Sequence, residues 1–364
     1  MTTSTTAVVD LWQLAKDKLA EQEAAATVAH DQLGRKLDGR SSNEEVVLVC
    51  GSKSAGKSSM VDRFLEKREE TKPTIALEYT FARRTRGEAK DVAHVWELGG
   101  GIQNLDLIQI PLTAENVEIA SVVIVLDPTR PHELWSTLDE LLTSIRKRTQ
   151  RVAQQLTQRL LATAAARMEG HKDASMLSPF PLPLALVLGR WDEFQKMGSL
   201  ERRVILSTLR FVAHYHVASF LCWSSSDESS VQRGRQLLGA LAFGAQPNRQ
   251  AQMDVSQPMY IPAGGDSLEE IGPPPVDQLR SLGASASQPL QLWKSAFCEH
   301  FPQTERKIET TASVEDDREG GLFAEPAIDA IVAQRMRDLE LYIRQKKDRA
   351  AAEQRAKNQI ENSH

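Results

Sequence analysis

The sequence predicts an α/β protein: a doubly wound, mostly parallel sheet built on a phosphate-binding loop, with helical additions, a C-terminal segment that wraps the domain, and a tail. Three observations carry that expectation. First, the short apolar run Glu45–Cys50 reads as a strand and feeds directly into C-G-S-K-S-A-G-K-S-S over Cys50–Ser59, a full G-x-x-x-x-G-K-S/T match. Second, Met60–Leu65 continues as an amphipathic helix, so strand, loop and helix come in the order such a loop needs. Third, further short apolar runs recur downstream with helical patterns between them, at Ile75–Arg84, Asp91–Leu98, Ala120–Leu126, Leu184–Leu188 and Ala218–Trp223.

In chain order, residues 1–42 form an N-terminal helix, beginning at Leu11-Trp12, and a linker. The nucleotide-type domain occupies 43–245. Its loop residues Gly51, Ser52, Lys53, Ser54, Ala55, Gly56, Lys57, Ser58 and Ser59 are the expected phosphate binders. Glycines permit the tight turn, backbone amides face the phosphates, Lys57 supplies a point charge, and the Ser58 hydroxyl suits Mg²⁺. Ile75–Arg84 and Asp91–Leu98 are separated by a turn at Arg86-Gly87-Glu88, so they pair as an antiparallel hairpin.

The partner positions of a Ras-like nucleotide switch are mostly present, several with altered residues. Thr74, in Pro73-Thr74-Ile75, occupies the place of the threonine that meets Mg²⁺, so Ser58 and Thr74 are the expected metal ligands. Glu97, at the end of V-W-E-L-G-G-G, replaces an aspartate, and Gly101 falls where a glutamine would orient the attacking water. Hydrolysis is therefore expected to be slow. In Leu188-Gly189-Arg190-Trp191-Asp192 only Asp192 keeps its base-recognition role, Arg190 being placed to stack on the base and Gly189 lacking the amide found there in guanine-specific sites. The cofactor expected is GTP, GDP or ATP with Mg²⁺, in a structural or vestigial role.

Farther along, apolar residues from Leu134 through Ile145, Val152 and Leu160 predict one uninterrupted helix from His132 to Gly170. Glu201–Val217 and Gly234–Phe243 supply two more. His214 and His216 read as packed or surface residues, because no cysteine or carboxylate stands at a ligand spacing from either. Residues 246–302 are expected to wrap the domain, anchored by Tyr260, Ile261, Leu268 and Ile271 and ending in a short helix over Leu290–Phe297. Residues 303–364 comprise a polar linker and an amphipathic tail helix from about Ile328 to Ile343.

Composition narrows the function class. The chain has 364 residues, 41% of them hydrophobic, and a formal net charge of −5, which argues against a general nucleic-acid binder. Three cysteines, Cys50, Cys222 and Cys298, cannot build a disulfide framework, which points to a reducing compartment. No segment approaches the ~18 apolar residues of a membrane span.

Longer strings identify a family. L-W at Leu11, K-P-T-I-A-L-E-Y-T-F-A-R-R over Lys72–Arg84, D-V-A-H-V-W-E-L-G-G-G over Asp91–Gly101, T-L-R-F-V-A-H-Y over Thr208–Tyr215, and D-S…I-G-P-P from Asp266 together resemble the dynein light intermediate chain family, in its cytoplasmic dynein 2 branch. The resemblance runs from about Leu11 to Pro302. It implies a non-catalytic motor subunit that binds the dynein 2 heavy chain, alongside other dynein 2 subunits and intraflagellar transport complexes. It places the protein in the cytoplasm, on the cytoskeleton and in the cilium or flagellum, at axoneme and basal body. The competing readings are a regulatory GTPase acting as a switch and an ATP-dependent P-loop enzyme.

Overall fold

The computed structural model describes residues 44–67, 71–86, 89–153, 157–166, 168, 170–245, 250–275 and 289–304, with parts of a helix between 330 and 346. The expected helix from Leu11 lies outside the described residues. Two compact units divide between Thr304 and Glu305.

The first unit centres on a seven-stranded sheet. Strand β1 (Glu44–Gly51) pairs in parallel with β3 (Ala89–Leu98) on one side and β4 (Ala120–Leu126) on the other. β2 (Leu77–Arg86) folds back antiparallel on β3, as the hairpin reading expects, from Leu77 opposite Leu98 to Arg86 opposite Ala89. β5 (Leu184–Leu188) and β6 (Ser219–Cys222) continue the parallel set. β7 (Tyr260–Ile261) closes the far side antiparallel to β6, one strand more than the sequence suggested, so the order is β2-β3-β1-β4-β5-β6-β7.

Side chains alternate across a strand, and here both alternations are apolar, so the sheet is covered on both faces. Val46, Leu48, Val122, Ile124, Leu186 and Phe220 point into one core layer; Val47, Val49, Val123, Val125, Val187 and Leu221 point into the other. The second layer is roofed by α1 (Lys57–Phe64) and α6 (Glu228–Phe243), the first chiefly by α2 (Pro131–Val152) and α5 (Ser199–Tyr215), which the four-residue α4 (Trp191–Phe194) precedes.

The single long helix expected over His132–Gly170 is two helices. α2 ends at Ala153, whose backbone leaves the helical region at φ −127°, ψ 43°, and α3 (Thr157–Ala166) follows. The apolar spacing persists through the break because both helices bury one stripe; periodicity reports the face, not the continuity of the axis. Ala153 itself is 2% exposed and belongs to the core.

The described residues of the wrapping segment, 250–275 and 289–302, pack on the domain. Tyr260, Ile261 and Ile271 are buried, and Leu268, which opens the short helix α7 (Leu268–Ile271), packs on the core. The chain then reaches α8 (Pro289–His300), where Trp293 stacks on Phe211 of α5 with ring centroids 4.6 Å apart and planes 10° apart. Phe297 meets Trp135 of α2, and Lys294 pairs with Asp139 at 2.9 Å. In the second unit the described residues between 330 and 346 are helical, with Ile331, Met336, Leu339, Leu341 and Tyr342 exposed. Among the described residues, no helix is long and apolar enough to cross a membrane.

Candidate nucleotide site

The phosphate-binding loop lies where β1 ends, at the carboxyl edge of the parallel strands, the usual location for ligands in such sheets. Gly51 turns the chain at φ 139°, and a Cβ there would stand 1.8 Å from the Val125 carbonyl oxygen, so β4 itself demands a glycine. Ser52 N–H donates to that carbonyl at 2.9 Å, which ties the loop to the sheet. Ser54 (φ 59°) and Gly56 (φ 95°) then take left-handed conformations that curl the loop into the first turn of α1. Among the described residues, the amides of Lys53 and Ser54 have no protein acceptor. They are the donors an anion would meet.

Lys57 is 5% exposed and reaches back under the loop, its ammonium donating to Ser52 O at 2.8 Å and lying 3.5 Å from Gly51 O. Burial pulls its pKa down, and the charge of Glu97 opposes that. Glu97 is buried at the end of β3, and the Ser58 hydroxyl donates to its Oε1 at 2.6 Å. Burial holds the Glu97 carboxyl above its ordinary range, partly offset by the Ser58 hydrogen bond and the Lys57 charge. Thr74 donates to Glu78 at 2.9 Å, and its hydroxyl lies close enough to Glu97 to help lower that carboxyl's pKa. The structure thus brings Ser58, Thr74 and Glu97 together beside Lys57. Two hydroxyls and a carboxylate form the all-oxygen donor set that a hard cation takes, so these residues fit Mg²⁺. Glu97 is one methylene longer than aspartate, and it reaches Ser58 directly.

The loop carrying Thr74 is held in place by contacts the sequence did not announce. Gly99 N–H donates to Ala76 O at 2.6 Å, and Asn104 Nδ2 donates to Ile75 O at 3.1 Å and Gly99 O at 3.2 Å. A side chain at Gly99 would collide with Thr74 O at 2.1 Å. Gly101, at φ 69°, faces the phosphate loop, with Lys53 N 3.6 Å from where its Cβ would be. It offers nothing that could orient a water molecule.

On the base side, Asp192 accepts from the Ser224 hydroxyl at 2.6 Å, leaving its other oxygen for a ligand. Arg190, in a left-handed conformation at φ 51°, sends its guanidinium to Asp127 (3.3 Å) and Thr129 (3.5 Å). Gly189 shows why no amide stands there: a Cβ would lie 2.1 Å from Ala55 O, so the phosphate loop occupies that space. Trp223 fills the floor, 3.1 Å from a Cβ on Gly56 and 3.0 Å from one on Gly234. A recess of 410 Å³ is bordered by Asp192, Ser224, Ser226 and Gln257, and none of the phosphate-loop residues line it. Trp223 and Ser224 lie in the run Ser219–Ser226 that reads as the last strand and its base-side loop; Asn104 and Asp127 had no motif to mark them.

A family model described as "Dynein light intermediate chain (DLIC)" matches residues 34–169. The chain is 39% identical over 345 residues to "Cytoplasmic dynein 2 light intermediate chain 1" of Danio rerio, covering 92% of this chain and 94% of that protein. It is 36% identical over 345 residues to the Homo sapiens protein of the same name, covering 92% and 95%. Among solved structures, the "Crystal Structure of the Dynein Light Intermediate Chain's Conserved Domain" superposes with a TM-score of 0.52 at 17% identity, covering 70% of this chain and 98% of that one, a likeness of fold alone. Identity above a third, sustained over nine-tenths of the chain, extends well beyond the phosphate loop: the chain belongs to the dynein light intermediate chain family, beside the members named for cytoplasmic dynein 2.

Proposed function

We propose that this protein is a non-catalytic subunit of the cytoplasmic dynein 2 motor, binding and stabilising the heavy-chain tail for retrograde intraflagellar transport and cilium assembly. The observation that carries this reading is the collinear similarity to dynein 2 light intermediate chains across 92% of the chain. In this reading its partners are the dynein 2 heavy chain, the other dynein 2 subunits and intraflagellar transport complexes. It would work in the cytoplasm, on the cytoskeleton and in the cilium.

The site supports binding without turnover. Gly51–Ser59 would hold the phosphates of GTP, GDP or ATP, Ser58 and Thr74 would hold Mg²⁺ with Glu97 behind them, and Arg190 and Asp192 would face the base. When bound, the nucleotide and its metal supply a dense charge that orders the loops around them. The chain's own residues orient that charge. Gly101 has no side chain to position a nucleophile, and that favours a structural ligand over a cycling one.

The test pairs a heavy-chain pull-down from ciliated cells with Lys57→Ala. The substitution is expected to weaken nucleotide binding while leaving heavy-chain recovery and cilium length unchanged. Loss of the whole protein is expected to shorten cilia and load their tips with transport material. The intact phosphate loop keeps a second reading open, a nucleotide switch. That reading predicts that a folded Lys57→Ala protein still binds the heavy chain but behaves as a null in cells.

A further inference from the structure

Away from the phosphate loop, three side chains from two distant stretches converge. His171 and Asp173 lie in the connection after α3, and His214 lies in the last turn of α5; one ligand atom from each stands within 4.8 Å of the others. Asp173 Oδ2 is 2.9 Å from His214 Nε2 and 3.9 Å from His171 Nδ1. A tetrahedral ion with bonds of about 2.0 Å sets its ligand atoms roughly 3.3 Å apart, and the two observed separations bracket that value.

The surrounding contacts are those that orient metal ligands. His171 Nε2 donates to the Asp266 carbonyl at 3.1 Å, which leaves the Nδ1 lone pair facing inward. Asp173 N–H approaches the same Nδ1 at 3.2 Å, a weak bond that an ion would displace. Asp173 Oδ2 also accepts from Leu268 N–H at 2.9 Å. The Asp266 carboxylate is neutralised by two bonds from Arg210, at 2.9 and 2.8 Å, and Lys172 is engaged by Glu269 at 2.6 Å. His214 Nδ1 is buried with no partner among the described residues, so it is available to carry the ring proton when an ion replaces the Nε2–H···Oδ2 hydrogen bond to Asp173 and takes the Nε2 lone pair.

We propose that His171 Nδ1, Asp173 Oδ2 and His214 Nε2 form a binding site for a divalent transition cation of the zinc class. Two imidazole nitrogens with one carboxylate favour zinc over magnesium or calcium, which take oxygen. Three protein ligands leave a fourth position open on the side of His171 and Asp173, the more exposed members at 21% and 12% against 1% for His214. The ion would clamp the wrapping segment, because Asp266 and Leu268 hold two of its ligands from that segment. The site is independent of the nucleotide and of the dynein assignment.

The experiment is calorimetric titration of the chelator-stripped full chain with ZnCl₂ near neutral pH, with CoCl₂ absorption to read the coordination geometry. The wild type is expected to take up one equivalent with a tetrahedral nitrogen and oxygen cobalt spectrum. His171→Gln, at a partly exposed position, and Asp173→Asn are each expected to weaken binding by about a hundredfold or more while circular dichroism stays native. Cys298→Ser is expected to bind as the wild type does. No uptake by the wild type would mean that a proton alone bridges Asp173 and His214 and would overturn the site, as would uptake that survives both His171→Gln and Asp173→Asn.

Discussion

At the scale of single residues, burial decides which groups carry information about pH. His216 is 4% exposed, hydrogen-bonded through Nδ1 to Ser178 O at 3.0 Å and close to the Arg146 guanidinium; burial, the largest cause, drops its pKa to about 4. Because the folded value lies below the ordinary 6.5, the unfolded chain takes up the proton first, and the stability this ring contributes is present above pH 6.5 and lost as pH falls toward 4. The loss is expected to reach about 3 kcal/mol, and chemical denaturation of His216→Asn across that range should show a flatter profile. Gly189→Ala is expected to destabilise the protein by about 3 kcal/mol or more, since its methyl would meet the Ala55 carbonyl at 2.1 Å; a melting temperature equal to the wild type would contradict the close packing of loop and strand. Residues within one motif, such as Gly51, Lys57 and Ser58, were legible in the sequence. The Asp173–His214 contact was not, because the two are 41 positions apart and each looks ordinary in its own neighbourhood.

Elements were legible where one local signal decides them. β5 is a continuous apolar run and β4 one broken only by Ser121; both are buried at every residue, and their ends in the structure match the sequence reading. The β2–β3 hairpin followed from two strand-type runs around one short turn. What a local pattern cannot show is a partner from far away. Helix α2 has no side-chain cap from its own neighbourhood; instead Gln303 Oε1 accepts from Trp135 N at 3.1 Å and Ser136 N at 3.2 Å, while its Nε2 donates to Pro131 O at 3.1 Å. A residue 168 positions downstream thus braces the first two turns of the helix, bonding a carbonyl of the first and amides of the second. Gln303→Ala is therefore expected to cost about 1 kcal/mol, the net worth of an ordinary hydrogen bond, as read from the urea midpoint. The α8 anchor is stronger: Trp293→Ala is expected to cost about 3–5 kcal/mol and to raise protease sensitivity in the wrapping segment.

At the scale of the whole molecule, the order of protection should follow the order of the sheet. β4 lies at the centre with all seven residues buried, whereas β2 lies at the rim with Tyr79 and Phe81 each 46% exposed. Hydrogen exchange is expected to be slowest in β1, β4 and β5, at rates set by global unfolding, and fastest among the strands in β2. Uniform exchange across the sheet would contradict this. The overall architecture was readable because the phosphate loop marks a strand–loop–helix start and the short turn after β2 marks one antiparallel pair; the order of the strands came from the structure. The seventh strand was not, since two residues, Tyr260–Ile261, carry too short a pattern to distinguish a strand from an apolar anchor.

By laying Tyr260–Ile261 along β6, the chain makes the edge on that side only two residues long, and Gln252 exchanges both backbone hydrogen bonds with Tyr260 on its outer side, at 2.7 and 2.9 Å. The ten-residue β2 is the longer edge among the described residues, so it is where a strand from another chain would find the most unpaired backbone to join.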